Sequence, residues 1–465
     1  MKAVWKLALR TPNIISLANG DPHNSLYPIS QIDFKVPAVN TENPCSEWKS
    51  GDGPTQTFTS YKDKDCALSL QVALQYGAGA GLLDVRKTLS GFNEMLHGCT
   101  SATHDVTLSL GNADALTKCF RLLGDPGDSF LVEEFSFPGM TNAPLAHGIK
   151  WVPVMMDEDG ILPTSLESIL EAWDTDTRGK RPHVLYTIPS GQNPTGGTLT
   201  LERRREIYKI ACRWNLIILE DDPYYFLQYD RKPVSPPDIE SEGYGKTFAK
   251  TLIPSFLSMD KDGRVIRIDS FSKIIVPGMR LGWIASNPFF AEKLESLTDS
   301  STQHPHGFGQ AFVAEMLGPK GWGPDGFMRW VGSLCDEYQR KRDFFLKIFL
   351  REVGDNGFAT VGTPTAGMFV WIKVHLERHP RYAEEGPTSS NVEELMDELF
   401  NKLFDGGVLL MPAKTFACPS DNRDSTRNKL NHFRATFAGV DGTIENALVI
   451  FGKVLREFFG EHAAS

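Results

Sequence analysis

The stretch Ser270-Phe271-Ser272-Lys273-Ile274-Ile275-Val276-Pro277-Gly278-Met279-Arg280-Leu281-Gly282-Trp283 sets one lysine between hydroxyls and an apolar run, with an arginine seven residues on. A solvated surface surrounds its lysines with other polar groups, and a buried ammonium costs several kcal/mol unless it neutralises or finds a partner. One reading is a lysine kept for chemistry, as a neutral amine or an imine. The run follows Val265-Ile266-Arg267-Ile268, a strand pattern, and open α/β sheets build their sites at strand ends.

Outward from this stretch, β-rich runs alternate with helical ones from about residue 105 to 290. Val106-Thr107-Leu108-Ser109-Leu110 reads as a strand, and Gly111-Asn112 turns into an amphipathic helix around 113–123. Asp125-Pro126-Gly127-Asp128 is a turn before a strand that begins Phe130-Leu131-Val132. Strands at 183–188 and 216–219 continue the series, with a helix opening near Thr200 between them. Strands separated by helices need crossover connections. The expectation is therefore an α/β fold with a mainly parallel sheet covered on both faces.

After about residue 325 the pattern changes to a long helix, strands near 367–374, 407–411 and 431–437, and a last helix after Asp441. That helix lines up Ile444, Leu448, Phe451, Val454, Leu455 and Phe458 on one face. The expected division is a large domain over 46–324 and a smaller α+β domain built from 1–45 and 325–465. The Pro-, Ser- and Gly-rich stretch 232–262 reads as an irregular excursion from the sheet.

The chain has 465 residues, 41% hydrophobic and 23% charged, the balance of a globular protein with room for two or three domains of about 100–200 residues. A net charge of −10 argues against nucleic acid as the main partner. No window supplies the roughly 20 uninterrupted apolar residues of a membrane helix, so no membrane is expected. The opening MKAVWKLALRTPN has neither the long apolar core nor the small-residue cleavage site of a signal peptide. Seven scattered cysteines without a CxxC pair fit free thiols in a reducing compartment, and cytoplasm is the expected address. His304-Pro305-His306 reads as a plain loop, Arg203-Arg204-Arg205 as a solvated helix face, and the acidic run 393–398 as charged helix surface. No cysteine–histidine cluster has zinc spacing, and no metal is expected.

Three further motifs sit where the strands end. Asn193-Pro194-Thr195-Gly196 follows the strand 183–188 and alone reads as a turn. Glu220-Asp221-Asp222-Pro223-Tyr224-Tyr225 follows the strand 216–219, and paired carboxylates and tyrosines at a sheet edge exceed what solubility needs. Asn431-His432-Phe433-Arg434-Ala435-Thr436-Phe437 places an arginine in an apolar strand, where it needs an anion. Taken in order, YTIPSGQNPTG, EDDPYYFLQY, DSFSKIIVPGMRLGW, TAGMFVWIKV and FRATF resemble the fold type I pyridoxal-phosphate aminotransferases. Within them the chain looks most like the aromatic amino acid, kynurenine and 2-aminoadipate aminotransferases, including the fungal aromatic ones. The resemblance runs from about Asn13 to the end.

The resemblance implies pyridoxal 5′-phosphate as cofactor and a task for each matching residue. Lys273 would form an imine with the cofactor aldehyde, then carry the proton between the substrate α-carbon and the cofactor. Asp221, preferred to Asp222 for its D-x-x-Y spacing to Tyr224, would accept a hydrogen bond from the pyridine nitrogen. Tyr224 and Asn193 would hold the ring hydroxyl oxygen. Asn112 and Ala113 at a strand-to-helix turn would receive the phosphate with Ser270, Ser272 and Arg280. Phe137, where many relatives have tyrosine, would stack on the ring. Arg434 would clamp the substrate α-carboxylate, with Asn193 and Gly20 beside the substrate. Tyr76 matches a tyrosine that reaches the phosphate of the neighbouring subunit, which implies a homodimer. The segment Ala18-Asn19-Gly20-Asp21-Pro22 departs from the more usual AGGLP, so Asn19 and Asp21 alter the pocket mouth.

The function implied is a ping-pong aminotransferase that takes the amine of an aromatic or related large L-amino acid and gives it to a 2-oxo acid, 2-oxoglutarate first. A β-lyase or decarboxylase shares the same motifs. A ligand-sensing regulator on this fold carries a DNA-binding domain ahead of it, and a resemblance that starts by Asn13 leaves no room for one.

Overall fold

In a computed structural model of the chain, the residues described are 11–12, 17, 20–100, 102–232, 243–384, 390–419 and 429–460. The expectations for Asn19 and for 233–242 lie outside them. Seven strands make the central sheet: β1 (Asp105–Ser109), β2 (Ser129–Glu133), β3 (Lys150–Val154), β4 (Val184–Thr187), β5 (Ile217–Asp221), β6 (Val265–Ser270) and β7 (Gly282–Ser286). Their order is β1-β7-β6-β5-β4-β2-β3. Only β7 runs against the others, pairing antiparallel with both β6 and β1. The sequence pattern gave no sign of this reversed strand, because a fully buried run looks the same in either direction.

Alternation along the parallel strands divides the core in two. Val132, Tyr186, Leu219 and Ile266 face helix α1 (Asn112–Leu123), packing with its Leu116 and Phe120. Leu131, Leu185, Ile218 and Val265 face helix α2 (Leu201–Arg213), packing with Ile207 and Ile210. Each fully buried aliphatic or aromatic side chain contributes about 1.5–3 kcal/mol. A one-residue slip of any strand would exchange the two sets.

The α2 face also buries charge. Arg204, expected on a solvated face, has no exposed surface and spends its guanidinium on the Leu199 and Pro189 carbonyls and on Ser190 Oγ. The helix turns Arg204 inward because its neighbours Ile207 and Ala211, three and seven residues on, share that face. Beside it Arg267 of β6 pairs with Glu220 at 3.0 Å, Asp222 at 3.3 Å and Asp269 at 2.8 Å, and lies over the Tyr225 ring. Burial pushes the Asp222 carboxyl upward and that of Asp269 to about 6, while the attraction of Arg267 opposes both.

Toward the C-terminus, helix α3 (Gly307–Leu317) is followed by the 30-residue helix α4 (Gly323–Glu352). A four-stranded antiparallel sheet follows, β8 (Ala359–Val361), β9 (Phe369–Val374), β10 (Met411–Pro412) and β11 (His432–Thr436), in the order β8-β9-β11-β10. Helices α5 (Val392–Asp405) and α6 (Asp441–Phe458) complete the region, with Phe451 of α6 packing on Phe349 of α4. The strand expected at 407–411 shrinks to Met411–Pro412, and the stretch 232–262 carries a short helix at Tyr244–Ala249. An antiparallel pair, Gln31–Pro37 with Thr55–Tyr61, crosses the expected 45/46 boundary and packs Phe34 and Phe58 on Phe312 of α3.

Arg267→Leu leaves Glu220, Asp222 and Asp269 without their central cation. The expected loss is about 3–5 kcal/mol of unfolding free energy at pH 8, read from urea denaturation. Carboxyls raised in the folded state bind protons that the unfolded chain does not, so this loss should shrink as pH falls from 8 toward 5. A loss independent of pH would contradict the account.

Candidate active site

The carboxyl ends of β1, β4, β5 and β6 converge on a cavity of about 360 Å³ lined by Asn112, Ala113, Phe137, Asn193, Asp221, Tyr224, Ser270, Ser272, Lys273, Arg280 and Arg434. Clefts of about 520 and 580 Å³ elsewhere hold none of these residues. Volume therefore does not mark the site. Chemistry does.

Lys273 arrives through a single 3₁₀ turn, Phe271–Lys273, directly after β6. Three residues per turn put Phe271 and Ile274 on the same side. Both are buried, Phe271 at 4.9 Å from the Trp283 ring, while Ser272 and Lys273 face the cavity. Trp330 Nε1 donates to the Ile274 carbonyl at 2.8 Å and holds the exit of the turn. The apolar run is the anchor that presents the amine. Burial lowers the Lys273 pKa from its ordinary value, and the positive charges of Arg280 and Arg434 lower it further.

A cluster of donors surrounds one end of the loop. Gly111 joins β1 to α1 at φ +86°, and a Cβ there would stand 2.6 Å from Arg280 Nη2. The first internal bond of α1 runs from Ala115 N to Gly111 O, so the amides of 112–114 lack intrahelical acceptors at the positive end of the helix dipole. Ser270 Oγ donates to Ser272 Oγ at 2.8 Å, and Arg280 reaches Ser272 Oγ at 3.4 Å and the Leu110 carbonyl at 2.9 Å. His306 bonds the Met279 carbonyl and steadies the loop that carries Arg280. Hydroxyls, amides and a guanidinium suit an anion with several oxygens.

Asp221 ends β5 on the α1 face, nearly fully buried. Asn112 Nδ2 donates to its Oδ1 at 2.6 Å and Tyr186 Oη to its Oδ2 at 2.9 Å. Burial pushes its carboxyl to about 6, against the pull of those two donors. The side-chain amide of Asn112, expected on phosphate, is thus engaged by Asp221, and its backbone remains at the helix start. Asp222 projects to the opposite face and its ion cluster. Strand parity separates the adjacent carboxylates.

Arg434 of β11 lies 4.5 Å from the Phe369 ring and 4.6 Å from that of Phe416, and donates to Asn193 Oδ1 at 2.8 Å. Tyr224 stands edge-on to Phe369 at 5.8 Å, and burial pushes its phenol upward. Met140, Ile188 and Phe369 line the cavity too, and sequence reading did not single them out. Phe369 had a signal in the alternation of TAGMFVWIKV, and Tyr186 in being a phenol inside a buried strand. Two expected residues lie outside this cavity. Tyr76 is 56% exposed and edge-on to His304, and the space around Gly20 is open, with nothing within 4 Å of a Cβ built there.

Comparison with known proteins matches residues 44–449 to the family described as aminotransferase class I and II. The chain is 55% identical, over 99% of its length and 93% of the other's, to L-tyrosine:2-oxoglutarate aminotransferase amt1 of Serpula lacrymans var. lacrymans. It is 51% identical, with the same coverages, to L-tyrosine:2-oxoglutarate aminotransferase atrD of Tapinella panuoides. The crystal structure of aminotransferase Aro8 from Candida albicans superposes with a TM-score of 0.85 at 32% identity, covering 99% of this chain and 95% of that one.

Gly111→Ala should strain a positive-φ turn and push a methyl group at the Arg280 guanidinium. The expected result is a folded protein whose affinity for pyridoxal 5′-phosphate falls about tenfold or more, measured by equilibrium dialysis. Unchanged affinity would contradict the donor cluster.

Proposed function

Because the chain belongs to the class I and II aminotransferase family, we propose that it transfers the amine of an aromatic L-amino acid, tyrosine foremost, to 2-oxoglutarate. The observation that carries this reading is the pairing of one amine and one stacked guanidinium in a single cavity. Lys273 and Arg434 both face it, and aromatic or apolar side chains (Phe137, Met140, Ile188, Phe369) supply much of the rest. Close relatives acting on L-tyrosine and 2-oxoglutarate support the choice of substrates.

The residues present fit pyridoxal 5′-phosphate. The donors around Gly111 suit its phosphate, Asp221 is a buried carboxylate with acceptor capacity left, and Lys273 faces the same cavity with its pKa lowered by burial and by Arg280 and Arg434. When bound, the cofactor supplies a covalent handle for an amine and an electron sink at the carbon beside it. Ser270, Ser272, Arg280 and the amides of Asn112 and Ala113 hold the phosphate. Asp221 keeps the ring nitrogen protonated, Asn193 and Tyr224 orient the ring hydroxyl, and Phe137 covers the ring. Arg434 binds the α-carboxylate of each substrate in turn, its planar fork oriented by Phe369, Phe416 and Asn193. Lys273 would hold the cofactor through its side-chain amine and would move the proton at the substrate α-carbon.

The working form is a homodimer in which Tyr76 reaches the neighbouring subunit's site. Tyr76, 56% exposed on a single chain, is free to make such a contact. Free thiols at all seven cysteines support a reducing, cytoplasmic setting. Substrate binding falls between a large domain around the central sheet, up to 324, and a small one over 325–465, the 31–37/55–61 strand pair moving the N-terminal boundary off 45/46.

A panel of amino donors with 2-oxoglutarate tests the reading. Tyrosine, phenylalanine or tryptophan alone should convert the cofactor's absorbance from its aldehyde to its amine form, and 2-oxoglutarate should restore it. Release of ammonia and pyruvate without any 2-oxo acid would sink the transfer reaction. Lys273→Ala should retain cofactor without covalent attachment and lose kcat by roughly 10³-fold or more. Arg434→Lys, keeping charge but not the fork, should raise KM for amino acid and 2-oxo acid alike by about 10–100-fold, as steady-state kinetics would show.

A further inference from the structure

We propose that Asn112 and Tyr186 are positioning residues, a two-donor clamp that fixes the Asp221 carboxylate in orientation and charge toward the cofactor's ring nitrogen. This rests on the reading of Asp221 given above. The clamp comes from two different elements, the first residue of α1 and the middle of β4, so it ties the helix that receives phosphate to the strand beside Asp221.

Tyr186 has no exposed surface, and its ring lies 5.7 Å from Phe120 and 6.1 Å from Trp151. Packing sets the direction of the phenol, and a buried phenol needs an acceptor. Asp221 Oδ2 is that acceptor at 2.9 Å. The orientation of the Asn112 amide follows from its surroundings. At 2.6 Å from a carboxylate oxygen, the amide must present its NH₂, because its own oxygen would be repelled there.

This contact also decides between two jobs for Asn112. Among the described residues its buried Oδ1 has no partner, and it is only an acceptor, of no use to phosphate oxygens, which need donors. Its NH₂ is directed at Asp221. Asn112 therefore serves phosphate with its backbone and Asp221 with its side chain.

Two donors occupy one position on each carboxylate oxygen and leave the remaining lone pairs for a third donor, the ring N–H. Each bond also favours the charged form of a buried acid. Removing either one frees the carboxylate to rotate and raises its proton affinity, so that it draws the proton away from the ring nitrogen, while the phosphate contacts stay as they were.

The test compares pyridoxal 5′-phosphate with pyridoxal, which lacks phosphate, in binding to Tyr186→Phe and Asn112→Ala. Each variant should bind both compounds more weakly by a similar factor, about 5–20-fold for one charge-assisted bond. With ¹⁵N-labelled cofactor, the ring nitrogen resonance should move toward its unprotonated position in both. Wild-type affinity and resonance in Tyr186→Phe, which removes one hydroxyl and no packing, would overturn the clamp. So would an Asn112→Ala variant that loses affinity for the phosphorylated compound alone, since that assigns its side chain to phosphate. If Asn112→Ala does not fold, Tyr186→Phe decides. Asp221→Asn serves as the separate control: an unmoved nitrogen resonance there would bring down the underlying reading of Asp221, whatever the clamp variants do.

Discussion

An amine held among cations is the constraint on which the site depends. Lys273 is partly buried, and the two charges that act on it are the guanidinium groups of Arg280 and Arg434. Burial and like charge both favour the neutral form, which is the form that can attack a carbonyl and accept a proton. The same two cations also await anions, one at the phosphate end and one at the carboxylate end. Filling both ends with anions would bring the Lys273 pKa back up, so reactivity and ligand binding share one electrostatic field.

Holding that field requires a rigid floor, and the central sheet provides it. Glu220, Asp221 and Asp222 are consecutive, yet they serve different faces. Asp221 meets Asn112 and Tyr186 on the α1 side, while Glu220 and Asp222 join Arg267 on the α2 side. The α2 side is a closed ion cluster, and Glu220 further accepts the Phe256 and Leu257 amides. Its work is structural. Leaving only Asp221 toward the cavity avoids two adjacent carboxylates competing for one proton.

The α/β pattern and the strand-end positions could be read from the sequence because they are local, and most of the cavity lining followed from the family resemblance of the motifs. Alternation marked the strands, and SFSK, NPTG and the D-x-x-Y spacing fell where strands end. What escaped depends on contacts across the chain. The burial of Arg204 requires the carbonyls at Leu199 and Pro189 and the neighbouring strand, and an RRR run on a helix gives no hint of them. The reversal of β7 leaves no mark in its apolar composition. The grip of Asn112 on Asp221 joins residues 109 positions apart, and a strand-to-helix asparagine alone reads as an anion ligand.

The most direct measurement is reductive trapping with borohydride, followed by peptide mapping of the modified protein. The coenzyme should be fixed to one peptide, the one containing Ser270-Phe271-Ser272-Lys273, and to one residue in it, Lys273. Label on another lysine, or a protein that takes up no chromophore when supplied with pyridoxal 5′-phosphate, would contradict that assignment.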